Sequence, residues 1–183
     1  MAQHYDIDMI HHVCDYNSYY KEGVKNPYID HYTYKIMDLK EPSQRGHNAA
    51  ILHFAPKLNS GINALANSLN IRTLQIAIVP SSEKDKRSAG LETLITHING
   101  TRVIYDPNFL VRDHTVPKAH LGGDRSYDRN INSVSVHNAP SKDIPLILLD
   151  DVSTTGNSLY SCREILKNVG VKKVYMIVIG QTV

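Results

Sequence analysis

Residues 146–159 read LILLDDVSTTGNSL. Four apolar residues, Leu146, Ile147, Leu148 and Leu149, stand in a row. A strand covered on one face alternates between apolar and polar. An unbroken run suits a strand covered on both faces, as in a parallel sheet. Two carboxylates follow, Asp150 and Asp151. Ser153, Thr154, Thr155, Gly156, Asn157 and Ser158 then make a small polar loop. From Leu159 apolar side chains recur at helical spacing through Cys162, Ile165, Leu166 and Val169, and Gly170 is a stop signal. Strand, small polar loop and helix together suit a phosphate. Hydroxyl and loop N–H donors converge there, and the helix N-terminus adds partial positive charge. Gly156 lets the backbone close around the anion. The loop has no Lys or Arg, so the donors are N–H and O–H groups. Adjacent carboxylates at the carboxyl end of a strand, where open α/β sheets place ligands, suit sugar hydroxyls beside the phosphate, or a hydrated Mg²⁺.

Working outward, residues 171–179 (VKKVYMIVI) form a last buried strand. Upstream, residues 107–140 are rich in charge, Pro and Gly; a loop of that length is functional or mobile, with residues 133–136 returning as a strand. Residues 102–105 and 74–79 read as further strands. The second is ended by Pro80, Ser81, Ser82, Glu83 and Lys84. Ser88 is positioned to cap a helix over residues 89–98, which Asn99 and Gly100 stop. Residues 48–70 carry a helical pattern that Pro56 would kink or split. Residues 31–40 (HYTYKIMDLK) alternate as a strand would. Tyr5, Ile7, Met9, Ile10 and Val13 fit one short helix. Alternating strands and helices predict an α/β fold: a doubly wound, mainly parallel sheet of about five strands with right-handed crossovers. Residues 1–183 are expected to form a single domain. Within it, 46–183 is the core, 107–140 a flexible loop, and 1–45 an accessory lid or an oligomer contact such as a homodimer would use.

Composition narrows the function. The net charge of +2 gives no global drive toward nucleic acid or membrane, and no run approaches the length of a transmembrane helix. The first residues lack a basic-then-apolar signal pattern, so a cytoplasmic location is the expectation. Two cysteines far apart, Cys14 and Cys162, fit reduced buried thiols.

Residues 146–159 resemble the 5-phosphoribosyl-1-pyrophosphate (PRPP) signature of the type I phosphoribosyltransferases: apolar strand, two acidic residues, a short apolar residue, then a Thr-Thr-Gly loop. The likeness covers roughly residues 70–183. In that family a loop after an earlier core strand binds pyrophosphate, and Ser81, Ser82 and Lys84 occupy that place. A long mobile hood lies between the third strand and the signature strand, where residues 107–140 fall. Within it Arg112, Thr115, Leu121, Arg129 and Asn132 resemble a pattern of the ComF-like branch, close to amidophosphoribosyl-type relatives. Lys118 departs from that branch's Gln, and the N-terminal zinc-binding cysteine cluster often found there is missing.

The resemblance implies Mg²⁺-dependent transfer of phosphoribose from PRPP to a nucleobase or amine, a small-molecule acceptor, with release of pyrophosphate. Asp150 and Asp151 would hold the ribose hydroxyls and orient a Mg²⁺-bound water without ligating the metal directly. Ser153, Thr154, Thr155, Gly156, Asn157 and Ser158 would hold the 5-phosphate. Ser81, Ser82 and Lys84, with Arg125 or Arg129 from the hood, would stabilise departing pyrophosphate. Closure of 107–140, hinged at Gly122 and Gly123, would exclude water. Two other readings share the fold: a non-catalytic sensor of PRPP or nucleotides, and an effector or toxin-like enzyme acting on nucleotides or nucleic acid.

Overall fold

A computed structural model describes residues 5–21, 23–116 and 131–183. The chain runs β1 (Ile10–Tyr16), β2 (Tyr20–Lys21), β3 (Val24–Lys25), α1 (His31–Lys40), α2 (His47–Ser68), β4 (Thr73–Ile78), α3 (Ala89–Thr96) and β5 (Arg102–Tyr105). It continues through β6 (Val111–Arg112), β7 (Val134–Ser135), β8 (Leu146–Ser153), α4 (Asn157–Asn168) and β9 (Val174–Thr182). Five strands make one sheet in the order β1-β9-β8-β4-β5, and every neighbouring pair in it is parallel. The α/β expectation is borne out, and β8 is the middle strand.

Leu146, Ile147, Leu148 and Leu149 are each fully buried. Ile147 and Leu149 face a core completed by α1, α2 and α3, with Ile36, Phe54, Leu58 and Leu94 among its members. Leu146 and Leu148 face a second core that includes Met176, Leu159, Cys162 and Leu166. Each such side chain contributes about 1.5–3 kcal/mol by leaving water. That is why no polar residue interrupts the run. Both cysteines are free and buried.

The N-terminal forty residues differ from expectation. Residues 10–16 form not a helix but an edge strand parallel to β9, in which Cys14 alone is buried and its Sγ donates to the Ile179 carbonyl. Residues 31–40 form a helix, not a strand. Asp30 caps it, accepting from the Tyr32 and Thr33 N–H groups, and Thr33, Ile36 and Leu39 make its buried face at helical spacing. Other boundaries shift. Pro56 sits inside an unbroken α2, where Leu52, whose carbonyl loses its donor, lies on the exposed face. Ser88 precedes α3 without a side-chain cap. The strand expected at 133–136 is the two-residue β7, paired antiparallel with β6. The signature strand is longer than expected. Asp150 pairs with Val178, Val152 with Gly180 and Ser153 with Gln181, so the acidic pair belongs to the strand. No helix among the described residues is long and apolar enough to cross a membrane.

Candidate functional site

Because β8 continues to Ser153, pleating sends its two carboxylates to opposite faces of the sheet. Asp151 lies on the face of Ile147 and Leu149, where α1 packs, and its Oδ1 is 3.1 Å from Lys40 Nζ at the end of that helix. Asp150 lies on the α4 face, and its Oδ1 accepts from the Asp151 backbone N–H at 2.8 Å. Burial first, and the neighbouring Asp151 charge second, push the Asp150 carboxyl well above the usual carboxylate range. The Asp151 N–H and Lys40 oppose the shift without cancelling it. Burial acts against the charge on Lys40, but the Asp151 carboxylate, with help from Asp150 and Tyr16, outweighs it and raises the amine.

The turn after β8 is short. Thr154 and Thr155 are exposed, and Gly156 is buried with φ at +77°, the left-handed region that favours glycine. Thr154 Oγ1 shares a hydrogen bond with Thr182 Oγ1 at 3.1 Å, which ties the turn to the end of β9. α4 starts at once from Gly156 with no side chain capping it. The positive end of its dipole therefore lies beside a turn of hydroxyls, and its first turn holds no acidic residue. Ser153 Oγ is buried and lacks a partner among the described residues. Ser161 is fully buried, and its Oγ donates to the Asn157 carbonyl, fixing the first turn of the helix.

A second loop leaves the same edge of the sheet. β4 lies beside β8, with Ile78 opposite Leu149, and the Val79 N–H donates to the Leu149 carbonyl. Ser81, Ser82 and Lys84 thus emerge next to the strand that carries the acidic pair. Ser81 Oγ accepts from the Glu83 N–H, the Lys84 N–H donates to Thr115 Oγ1, and the Val116 N–H donates to the Ser82 carbonyl. Lys84 itself is exposed. Asp85 holds a positive φ of 61°, a left-handed conformation that Asp adopts more readily than most side chains. The ends of the expected hood are therefore docked on the expected pyrophosphate loop. Lys118, Leu121, Gly122, Gly123, Arg125 and Arg129 lie outside the described residues.

Arg112 supplies two of the four hydrogen bonds in that docking, although the sequence shows it only as part of a pattern. It is buried; its Nε donates to the Ser81 carbonyl at 2.9 Å, its Nη2 to the Pro80 carbonyl at 3.2 Å, and its Nη1 to Ser133 Oγ. Burial lowers its pKa, and the three acceptors are what hold it there. Replacing it with Met would strand two carbonyls, and we expect a loss of about 3 kcal/mol in urea unfolding. Arg112→Lys should recover only part of this, since one ammonium cannot match the guanidinium fork. An unchanged midpoint in Arg112→Met would refute this role.

Lys40 is the other residue missed. Its stretch reads as an alternating strand, which hides that it ends a helix at the acidic pair. The capping signal at Asp30 and the spacing of Thr33, Ile36 and Leu39 were the readable clues. Close packing brings α1 there: a Cβ at Gly180 would lie 2.5 Å from Ile36 Cδ1 and 2.9 Å from Tyr16 Cβ. Only glycine lets β1 and α1 approach the end of β9 so closely.

No protein-family model and no curated protein matches the chain. Solved structures show a distant likeness to it. Two crystal forms of a hypoxanthine phosphoribosyltransferase from Staphylococcus aureus are similar over 73% of this chain, covering 72% and 73% of theirs. Their identities are 13% and 14%, with TM-scores of 0.46 and 0.44. A purine phosphoribosyltransferase from Pyrococcus horikoshii is similar over 93% of this chain and 92% of its own, at 11% identity and a TM-score of 0.37. These are likenesses in the course of the chain.

Proposed function

We propose that the protein binds PRPP in the turn between β8 and α4 and transfers phosphoribose to a nucleobase or amine, releasing pyrophosphate. The observation that carries this reading is the turn itself. A left-handed Gly156, hydroxyls on both sides of it and an uncapped helix start sit directly beyond two carboxylates on the middle strand. That arrangement offers donors to a phosphate and acceptors to ribose hydroxyls at adjoining positions.

In the transfer the bond from C1 of ribose to pyrophosphate breaks, the ribose carries positive charge, and the acceptor nitrogen attacks C1. Catalysis then consists of positioning and charge stabilisation, and no nucleophilic side chain is needed. Asp151 and Asp150 accept from the ribose hydroxyls and lie near the developing cation. Thr154, Thr155, Gly156, Asn157 and Ser158, with Ser153, hold the 5-phosphate as an anchor. Ser81, Ser82 and Lys84 face the leaving group. Arg125 and Arg129 complete that set in this reading. The spacing from Arg112 to Asn132 supports the ComF-like branch, and the acceptor is the quantity that a substrate panel decides.

A Mg²⁺ ion would find few direct ligands at this site. Among the described residues no three acidic, His or Cys side chains cluster as a metal site. Asp151 is paired with Lys40, and Asp150 is driven toward its neutral form. Asp151 would hold an ion that enters with PRPP through a water molecule rather than as a direct ligand. When bound, the ion would neutralise charge on the leaving group.

Calorimetry with PRPP and Mg²⁺, followed by turnover with a panel of nucleobases and amines, tests the proposal. Micromolar binding with pyrophosphate release by one acceptor is expected. Binding without turnover by any acceptor would instead favour a PRPP sensor, and no binding at millimolar PRPP would overturn the reading.

A further inference from the structure

Lys40 is the last residue of α1, and its ammonium lies 3.1 Å from Asp151 Oδ1. The Asp151 side chain is 23% exposed and that of Lys40 43%, so one ammonium and one carboxylate share a half-covered site. The negative end of α1 reinforces the position of the cation. The geometry points to Lys40 as a resident counter-ion that keeps divalent metal off the acidic pair in the substrate-free protein, so that metal arrives only together with PRPP.

Two charges decide this. A divalent ion at Asp151 would stand within a few ångströms of the ammonium, and their repulsion is strong where protein shields them from water. Among the described residues no third acidic, His or Cys side chain joins Asp150 and Asp151 in a metal cluster, and pleating points the two carboxylates to opposite faces, so the pair cannot close around an ion from one side. When ribose hydroxyls take the Asp151 oxygens, the Lys40 ammonium is released toward the incoming phosphates, and metal entering with them would share their charge. This second step rests on the proposed function; the exclusion of metal from the free protein does not. Lys40 is a positioning residue in this scheme, acting through Asp151.

The test is a titration of the full chain with Mn²⁺ alone, following free Mn²⁺ by electron paramagnetic resonance. Wild type and Lys40→Arg should bind weakly and alike. Lys40→Met should bind at least about fivefold more tightly, the scale of a half-exposed charge pair. Lys40→Gln, polar and of similar length at a helix end, should show the same gain, so the result does not hang on one variant folding. The gain should vanish when Asp151→Asn is added. Equal Mn²⁺ affinity in wild type, Lys40→Met and Lys40→Gln would overturn the inference, as would a gain that survives Asp151→Asn. Calorimetry with PRPP and Mg²⁺ forms a separate arm. Failure of PRPP to bind wild type overturns the second step and the proposed function, while an Mn²⁺ gain at Asp151 would still establish Lys40 as the counter-ion.

Discussion

Gly156→Val should reduce PRPP binding by at least about 100-fold, read by calorimetry, while leaving the sheet intact by circular dichroism. Two independent costs combine. The residue holds φ at +77°, where a β-branched side chain is a genuine outlier and an L-residue loses about 1–2 kcal/mol. A Cβ there would also lie 2.8 Å from Ile10 Cδ1 and 2.8 Å from Tyr160 Cε2. The added atoms meet β1 and the first turn of α4. The turn must then open, and the donors at Thr154, Thr155 and Ser158 leave their common focus. Gly156→Ala keeps most of both costs and should fall between the two proteins. Thr155→Ala removes one exposed donor and should weaken binding only by about 1.5–3 kcal/mol, the value of one hydrogen bond to a charged oxygen. Wild-type affinity in Gly156→Val would remove the turn from the binding site.

The parts of this fold that could be read directly are those where burial is complete. β4, β8 and β9 are apolar on both faces, and α2 shows three- and four-residue spacing over a long span, so their patterns survive without tertiary context. The N-terminal elements are half-covered. β1 is an edge strand whose apolar residues Ile10, Val13 and Cys14 happen to fall at helical intervals. α1 is solvated on one side, so Tyr32, Tyr34 and Ile36 mimic the alternation of a strand. The site divides in the same way. Residues local in sequence, Asp150 to Ser158, could be found because one short segment carries them. Lys40 and Arg112 reach the site only through packing, and no spacing in the sequence encodes the approach of α1 to β8 or of β6 to the loop after β4. The acidic pair also shows what pattern alone cannot supply: adjacency suggests two equivalent acids, whereas a strand makes them face opposite cores.

That inequality gives Asp150→Asn a signature with two opposite signs. The native carboxyl titrates above its unfolded value, because burial and the Asp151 charge disfavour ionisation. A carboxyl with a raised folded pKa binds more protons in the native state than in the unfolded chain. The stability this contributes is complete below the unfolded pKa and is lost as pH rises through the folded one. Asparagine carries no such cost, and its Oδ1 can still accept from the Asp151 N–H that Asp150 now satisfies. The variant should therefore match wild type near pH 4 and become the more stable protein as pH rises. The gain should grow toward neutral pH and show as a higher Tm than wild type. PRPP binding should move the other way, weakening by about fivefold as a ribose hydroxyl exchanges a carboxyl acceptor for an amide. Asp151→Asn separates the two effects, since it breaks the pair with Lys40 and should lower stability by up to about 1 kcal/mol. Thermal melts of the three proteins between pH 4 and 8, with PRPP titrations at neutral pH, make the comparison. If Asp150→Asn melts below wild type at pH 8, then Asp150 is a stabilising charge rather than one held in place for binding ribose, and the division of roles between the two carboxylates fails.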